Sequence, residues 1–180
     1  MRRNNRVKYK WFAILLCAPV VLLRVPSSLA QSLFDRPPTR VMIHNPESTE
    51  GLRNRTTITV VVPEDAGHAL ATIVLRQFPN LDQWDWGRVD PKVYLGDYSL
   101  RGIGERGLAT AVVSGSEEIL TIQFNPVIEP GQTVNVVFRG FNPQSSIYQW
   151  STELLADGED PVRYLGPTLR LNVYEQDPYR

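Results

Sequence analysis

Residues 119–140 read ILTIQFNPVIEPGQTVNVVFRG. Leu120, Ile122 and Phe124 alternate with Thr121 and Gln123; further on, Val134, Val136 and Phe138 alternate with Thr133, Asn135 and Arg139. An apolar residue at every second position makes one apolar face only in an extended chain, because successive strand side chains point to opposite sides. The spacing predicts two half-buried strands joined by a Pro/Gly connection. Pro130 presets the first central residue of a type II turn, and Gly131 supplies the positive φ of the second. Pro126 has no N–H to donate to a ladder, which predicts that the first strand ends there.

The same period recurs on both sides of this stretch. In residues 56–62 (TTITVVV) it puts Ile58, Val60 and Val62 on one face, and in residues 71–78 it puts Ile73 and Leu75 inward. Tyr148, Trp150, Thr152 and Leu154 alternate with Gln149, Ser151 and Glu153, and Leu169, Leu171 and Val173 alternate with Arg170 and Asn172. Residues 41–43, 93–95 and 109–113 are shorter apolar runs, the first read as an edge strand. Pro, Gly, Asn and Asp punctuate the intervals, and residues 100–107 with three glycines read as a loop. Eight or nine short strands without a long segment of period 3.6 predict an all-β fold: an antiparallel, immunoglobulin-like β-sandwich, with a small barrel as the alternative. The organisation expected is a leader and edge segment over 31–55, a sandwich over 56–174, and a polar tail over 175–180. Pro37-Pro38 marks residues 31–40 as a flexible leader.

The first 30 residues have another character. Arg2, Arg3, Arg6, Lys8 and Lys10 precede an apolar run over 11–23, and Ser28-Leu29-Ala30 follows. That is the order of a helical secretory signal peptide, with cleavage expected between Ala30 and Gln31. The competing reading is an uncleaved anchor, but the run is shorter than the roughly 20 residues of a membrane span. Membrane contact is therefore expected only through this segment if it is retained. Lys+Arg and Asp+Glu each number 19 in the whole chain; residues 1–30 hold six of the bases and none of the acids, leaving 13 against 19, a net charge near −6. An acidic domain whose only lysine is Lys92 argues against nucleic acid as a partner. The single cysteine, Cys17, lies within the signal, so the mature domain holds no disulfide.

Several pieces together resemble a family of small secreted domains of unknown function that is widespread in cyanobacteria. They are Pro63-Glu64-Asp65-Ala66-Gly67, Phe124-Asn125-Pro126, Pro130-Gly131-Gln132-Thr133-Val134, Asn142-Pro143, Tyr148 and Tyr164-Leu165-Gly166. The resemblance spans 62–174 and implies export and a β-rich fold. It implies no activity. Where that family has a Gly-rich piece before its Tyr, this chain has Ser145-Ser146-Ile147.

The chemistry-bearing residues are sparse. His44 and His68 are the only histidines, no Gly-x-Ser-x-Gly is present, and a serine triad has nothing to support it. Two histidines without a mature cysteine disfavour zinc. Asp82, Asp85 and Asp90, or Asp157, Glu159 and Asp160, offer oxygens to calcium, but neither set follows the EF-hand spacing. No cofactor is expected. The strongest lead is aromatic: Trp84, Trp86, Tyr148 and Trp150 could form a binding platform, the alternative being that such large rings belong to the core. The function expected is that of a non-enzymatic binding or structural domain of the periplasm or cell envelope, partnered by an envelope protein or polysaccharide. A carbohydrate-binding module using exposed tryptophan and an envelope-polymer hydrolase are the alternatives. If the signal is cleaved as read, mass spectrometry of the exported protein should find Gln31 at the N-terminus. An exported chain that retains residues 11–23 would defeat this reading.

Overall fold

Among the described residues the chain forms twelve strands, the longer ones rich in β-branched and aromatic residues, and it turns between them at Gly, Pro, Asn and Asp. The computed structural model describes residues 31–87, 90–114 and 118–177; the expected helical signal and Ala30 of its cleavage site lie outside them. The strands are β1 (Arg40–His44), β2 (Arg53–Asn54), β3 (Thr57–Val61), β4 (Leu70–Gln77), β5 (Lys92–Leu95), β6 (Ala109–Ser114), β7 (Ile119–Ile128), β8 (Thr133–Val137), β9 (Gly140–Phe141), β10 (Ser146–Ala156), β11 (Arg163–Leu165) and β12 (Leu169–Val173). One sheet has the order β1-β3-β8-β5; the other has the order β11-β10-β4-β7-β6, with β12 also on β10; β2 and β9 form a small ribbon. Every pair of strands within the sheets is antiparallel. The immunoglobulin-like sandwich is formed, and no helix is present among the described residues.

β7 and β8 lie in opposite sheets, so the connection at Pro130-Gly131 carries the chain across the sandwich. It is a tight turn: the Gln132 N–H donates to Glu129 C=O at 3.2 Å, and Gly131 has φ 83°. The turn then ties to the end of β3, Gly131 N–H to Val62 C=O at 3.0 Å and Val62 N–H to Gln132 C=O at 2.9 Å. Pro126 does not end β7 as expected. The strand continues to Ile128, and the register against β4 jumps from Thr72↔Gln123 to Leu70↔Ile128. Pro126 sits in the resulting bulge, where no ladder N–H is required of it.

The predicted inward faces are inward. Ile58, Val60, Val134 and Val136 of one sheet meet Ile73, Leu75, Leu120, Ile122 and Leu154 of the other, all buried. The expectation of a flexible leader over 31–40 is overturned. Phe34 is buried in the core, the Asp35 N–H donates to Ala66 C=O at 2.9 Å, and Ser32 bridges Pro161. One apolar ring gives the segment enough buried area to hold it against the body.

The outer faces of the two sheets differ. On the four-stranded sheet, Thr57, Thr59 and Asn135 are buried although they point away from the core. The loop after β5 covers them. Tyr98 stacks on His44 at 3.7 Å, the Tyr94 hydroxyl donates to Ser99 C=O at 3.1 Å, and the Arg55 guanidinium donates to the carbonyls of Ser99, Leu100 and Gly102. Beneath the loop, Thr59 Oγ1 donates to Asn135 Oδ1 at 2.7 Å, and Asn135 Nδ2 donates to Gly96 C=O at 2.7 Å. Burial lowers the His44 pKa below its usual value, and Nε2 has no hydrogen-bond partner among the described residues. The unfolded chain therefore binds a proton at His44 more readily than the folded one. This contribution is intact above the unfolded pKa of about 6.5 and is lost progressively as the pH falls from there through the lower folded-state pKa. His44→Phe, which keeps a ring against Tyr98, should lose less stability than the unmodified protein between pH 7 and pH 5, read as urea midpoints at the two pH values.

Candidate functional site

Between β4 and β5 the chain runs through Asn80-Leu81-Asp82-Gln83-Trp84-Asp85-Trp86-Gly87 without regular structure. Short polar side chains hold it in place, because Asn and Asp can substitute for backbone partners where no ladder exists. Asn80 Nδ2 donates to Ile147 C=O at 2.8 Å, and Asn80 Oδ1 accepts from the Ser146 hydroxyl at 2.9 Å. Gln77 reaches forward from the end of β4: its Nε2 donates to Asp82 C=O at 2.9 Å, and its Oε1 accepts from Trp84 N–H at 3.0 Å. Asp82 accepts from Gln144 N–H at 3.1 Å, and Asp85 accepts from Phe141 N–H at 2.9 Å and Gly87 N–H at 2.8 Å. The segment lies so close to the chain around β9 that a Cβ on Gly140 would come within 2.2 Å of Asp85 C=O, and one on Gly87 within 2.3 Å of Arg139 C=O.

This stapling buries the aromatic residues. Trp84, Trp86, Tyr148 and Trp150 are 2%, 4%, 0% and 1% exposed. The four do come together: Trp84 meets Tyr148 and Trp150 edge-on, each at 5.4 Å, and Trp86 meets Trp150 at 5.8 Å and Phe138 at 5.2 Å. They form a core cluster, and the exposed platform expected from the sequence is corrected to that. Spacing two apart places Trp84 and Trp86 on one face, and the face turns inward because it can bury both indoles against Trp150. Burial pushes the Tyr148 pKa up to about 12, with the charges of Asp82 and Glu50 adding to it; its hydroxyl donates to Gln144 C=O at 2.8 Å.

A buried polar chain leads out of this cluster. Trp84 Nε1–H donates to Thr56 Oγ1 at 3.2 Å, and the Thr56 hydroxyl donates to Asn54 Oδ1 at 2.9 Å. Asn54 Nδ2 and Asn45 Nδ2 both donate to Asn142 Oδ1, and Asn142 Nδ2 donates to the carbonyls of Glu47 and Thr49 at 2.8 and 2.7 Å. Asn142 is thus the hub of the loop that residues 45–52 form, a role its sequence signature as a turn before Pro143 did not reveal.

Outside the cluster, the 80–87 segment and Arg139-Gly140-Phe141 wall an open groove of about 840 Å³, with Val113 at one end. Its most exposed apolar groups are Leu81 at 87% and Phe141 at 48%. The Arg53 guanidinium lies over the Phe141 ring, 5.4 Å from its centre. The acids offered to calcium do not converge: among the described residues no group of three His, Cys, Asp or Glu side chains could hold a metal ion. Asp82 and Asp85 instead accept backbone N–H groups with both oxygens. His68 lies exposed in its turn, and His44 lies beneath Tyr98.

Asn142→Ala would strand two side-chain amides and two carbonyls in a buried region. With roughly 1–3 kcal/mol for each unsatisfied group and partial rescue by water, it should lower stability by about 3 kcal/mol, measured by urea unfolding. A loss below about 0.5 kcal/mol, the size of an ordinary surface substitution, would show that the hub is dispensable.

Comparison with solved structures returns immunoglobulin-like domains of low identity. An uncharacterised protein from Nocardia farcinica, described as having an immunoglobulin-like fold, is 18% identical with a TM-score of 0.44, covering 74% of this chain and 96% of its own. The bacterial hydrophobin BslA is 11% identical with a TM-score of 0.43, covering 79% and 99%. The collagen-binding domain of a Staphylococcus aureus adhesin is 10% identical with a TM-score of 0.38, covering 74% and 96%. These likenesses concern fold alone. No curated protein matches the sequence. The model of a family described as "Protein of unknown function (DUF2808)" matches residues 31–173, and the chain belongs to that family.

Proposed function

We propose that this chain is an exported, non-enzymatic domain of the periplasm or cell envelope that works by binding a protein segment in the groove between residues 80–87 and 139–141. The observation that carries this reading is the pairing of exposed Leu81 and Phe141 on a rigid mount. Phe141 projects from backbone held by Asp85 and Leu81 from backbone held by Asn80, with buried tryptophans behind the segment, so little order is lost when a partner closes over them. Apolar side chains with Arg139 and backbone groups at the rim suit a peptide segment. Sugar recognition by stacking finds no free indole here, since Trp84 and Trp86 are buried and the Phe141 ring is already faced by Arg53. Export is supported by the basic and apolar order of residues 1–30 and by the family match beginning at residue 31, the residue after Ser28-Leu29-Ala30. The non-enzymatic reading rests on the acids of the groove, which are committed to backbone N–H groups.

The test is saturable binding of the purified protein to cell-envelope fractions. Replacing Leu81 and Phe141 by Asp in one variant should weaken binding at least about 10-fold, the effect of losing 1–2 kcal/mol at a contact. Protease treatment of the envelope should abolish binding, and polysaccharide digestion should leave it intact. Equal binding by the variant would remove the groove from consideration, and loss of binding only on polysaccharide digestion would replace a protein partner with a sugar polymer.

A further inference from the structure

The outermost strands of the two sheets are guarded with one exception. β1 carries Arg40 and His44, β11 is three residues long with Arg163, β12 carries Arg170, and β5 carries Lys92 and is bridged by Glu105. Short length, charge and covering are the usual means by which a sheet edge is kept from pairing with another chain. Among the described residues β6 has none of them. It reads Ala109-Thr110-Ala111-Val112-Val113-Ser114, six residues without charge or proline, and among the described residues its only strand partner is β7. Val112 is 61% exposed and Val113 38% exposed.

We propose that β6 pairs with β6 of a second copy of this chain about a two-fold axis, joining the two larger sheets into one. A two-fold axis normal to the sheet keeps core-facing residues core-facing, so each side chain must oppose one from its own face. The register centred on Val112 uses residues 110 to 114 throughout: Val112 faces Val112, Ala111 faces Val113, and Thr110 faces Ser114. On the core side this sets a small residue against a larger one. On the outer side it pairs two hydroxyls at each end of a β-branched centre, the kind of cross-strand pairing that stabilises sheets. One charge pairing agrees with it. Exposed Arg106 precedes β6 and exposed Glu118 follows it, and the same register brings Arg106 of each copy opposite Glu118 of the other, while Glu105 beside Arg106 is bridged to β5.

The wider surface favours a copy of the same chain as well. The net charge of the domain is near −6, and the acids that flank β6 in sequence, Glu105, Glu117 and Glu118, fall outside the paired residues 110–114. Across β6, β7 and β4 the outward residues of the central rows are Thr110, Val112, Gln123, Thr121, Thr72 and Val74, and none is charged. Within the paired residues, therefore, no like charges are set against each other. Five residue pairs bury less than the area of a stable complex, so the association is weak and should dissociate below about 100 µM.

The full chain carrying Cys17→Ser is expressed, and the purified product is studied by sedimentation velocity across a concentration series. Dimer should appear as concentration rises. Val112→Lys, which sets two like charges face to face on an exposed strand, should leave monomer at every concentration. In a second arm, Val112→Cys should form a disulfide-linked dimer under mild oxidation at least about 10-fold faster than Leu81→Cys, because opposed strand residues hold their Cβ atoms near bonding distance and a merely exposed cysteine does not. Monomer throughout in the unmodified protein, dimer that survives Val112→Lys, or equal cross-linking of the two cysteine variants would each overturn the pairing. Capture of a different chain by Val112→Cys in cells would also overturn it, and would assign the edge to a strand of another protein.

Discussion

Trp84 must bury an indole ring and still find an acceptor for its N–H. The ring is met by packing between Tyr148 and Trp150, and the N–H by Thr56 Oγ1. Neither can be met alone. The edge-on contacts require Trp150 at the centre of β10, and the hydrogen bond requires Thr56 at the foot of β3, so one residue in an irregular segment is referred to both sheets at once. Thr56 then needs Asn54, Asn54 needs Asn142, and Asn142 fixes the carbonyls of Glu47 and Thr49. A buried network of this kind is useful only when every member is satisfied, since a low dielectric strengthens each bond and also raises the cost of each omission. Two buried atoms at its margins have no hydrogen-bond partner among the described residues, Asn45 Oδ1 and Trp150 Nε1; the Trp150 ring crosses Trp84 at 87°, an arrangement that sets a positive ring edge against a negative ring face.

Much of the sandwich can be read from alternation. Ile58 and Val60, Ile73 and Leu75, Leu120 and Ile122 announce their faces because a strand repeats every two residues and the hydrophobic effect selects one side. What alternation cannot say is how strands are shared between sheets. The stretch from Ile119 to Gly140 holds two strands that never pair, and nothing in their side chains distinguishes a hairpin from a crossing. The aromatic residues show the same limit. Two-apart spacing correctly groups Trp84 with Trp86, but whether their common face is turned to solvent or to the core depends on Trp150, more than 60 residues away. Phe34 illustrates it again, since a lone ring among prolines and polar residues gives no local sign that a pocket awaits it. Asn142 and the four aromatic rings all looked notable as residues; their partners were what the sequence withheld.

The outward faces of the two sheets solve opposite problems. Thr57, Thr59 and Asn135 are polar in a place where water is excluded, and each has a partner under the Tyr98 loop: Thr59 bonds to Asn135, Asn135 to Gly96 C=O, and Thr57 to Arg55 C=O. The larger sheet leaves Thr, Val and Gln in water, where β-branched residues still favour the extended chain and ask for no cover.

The position of β10 in the chain has a consequence for how the protein is made. β4 lies between β7 and β10, while β11 and β12 divide the far edge of β10 between them. β4 ends at Gln77 and β10 begins at Ser146. A ribosome adding roughly 5–20 residues per second therefore leaves β4 without one of its neighbours for several seconds. The segment at Ser32 waits nearly twice as long, for it closes on Asp160 and Val162. The larger sheet therefore cannot be completed until synthesis has passed β12, and β4 keeps an unpaired edge until β10 has been made.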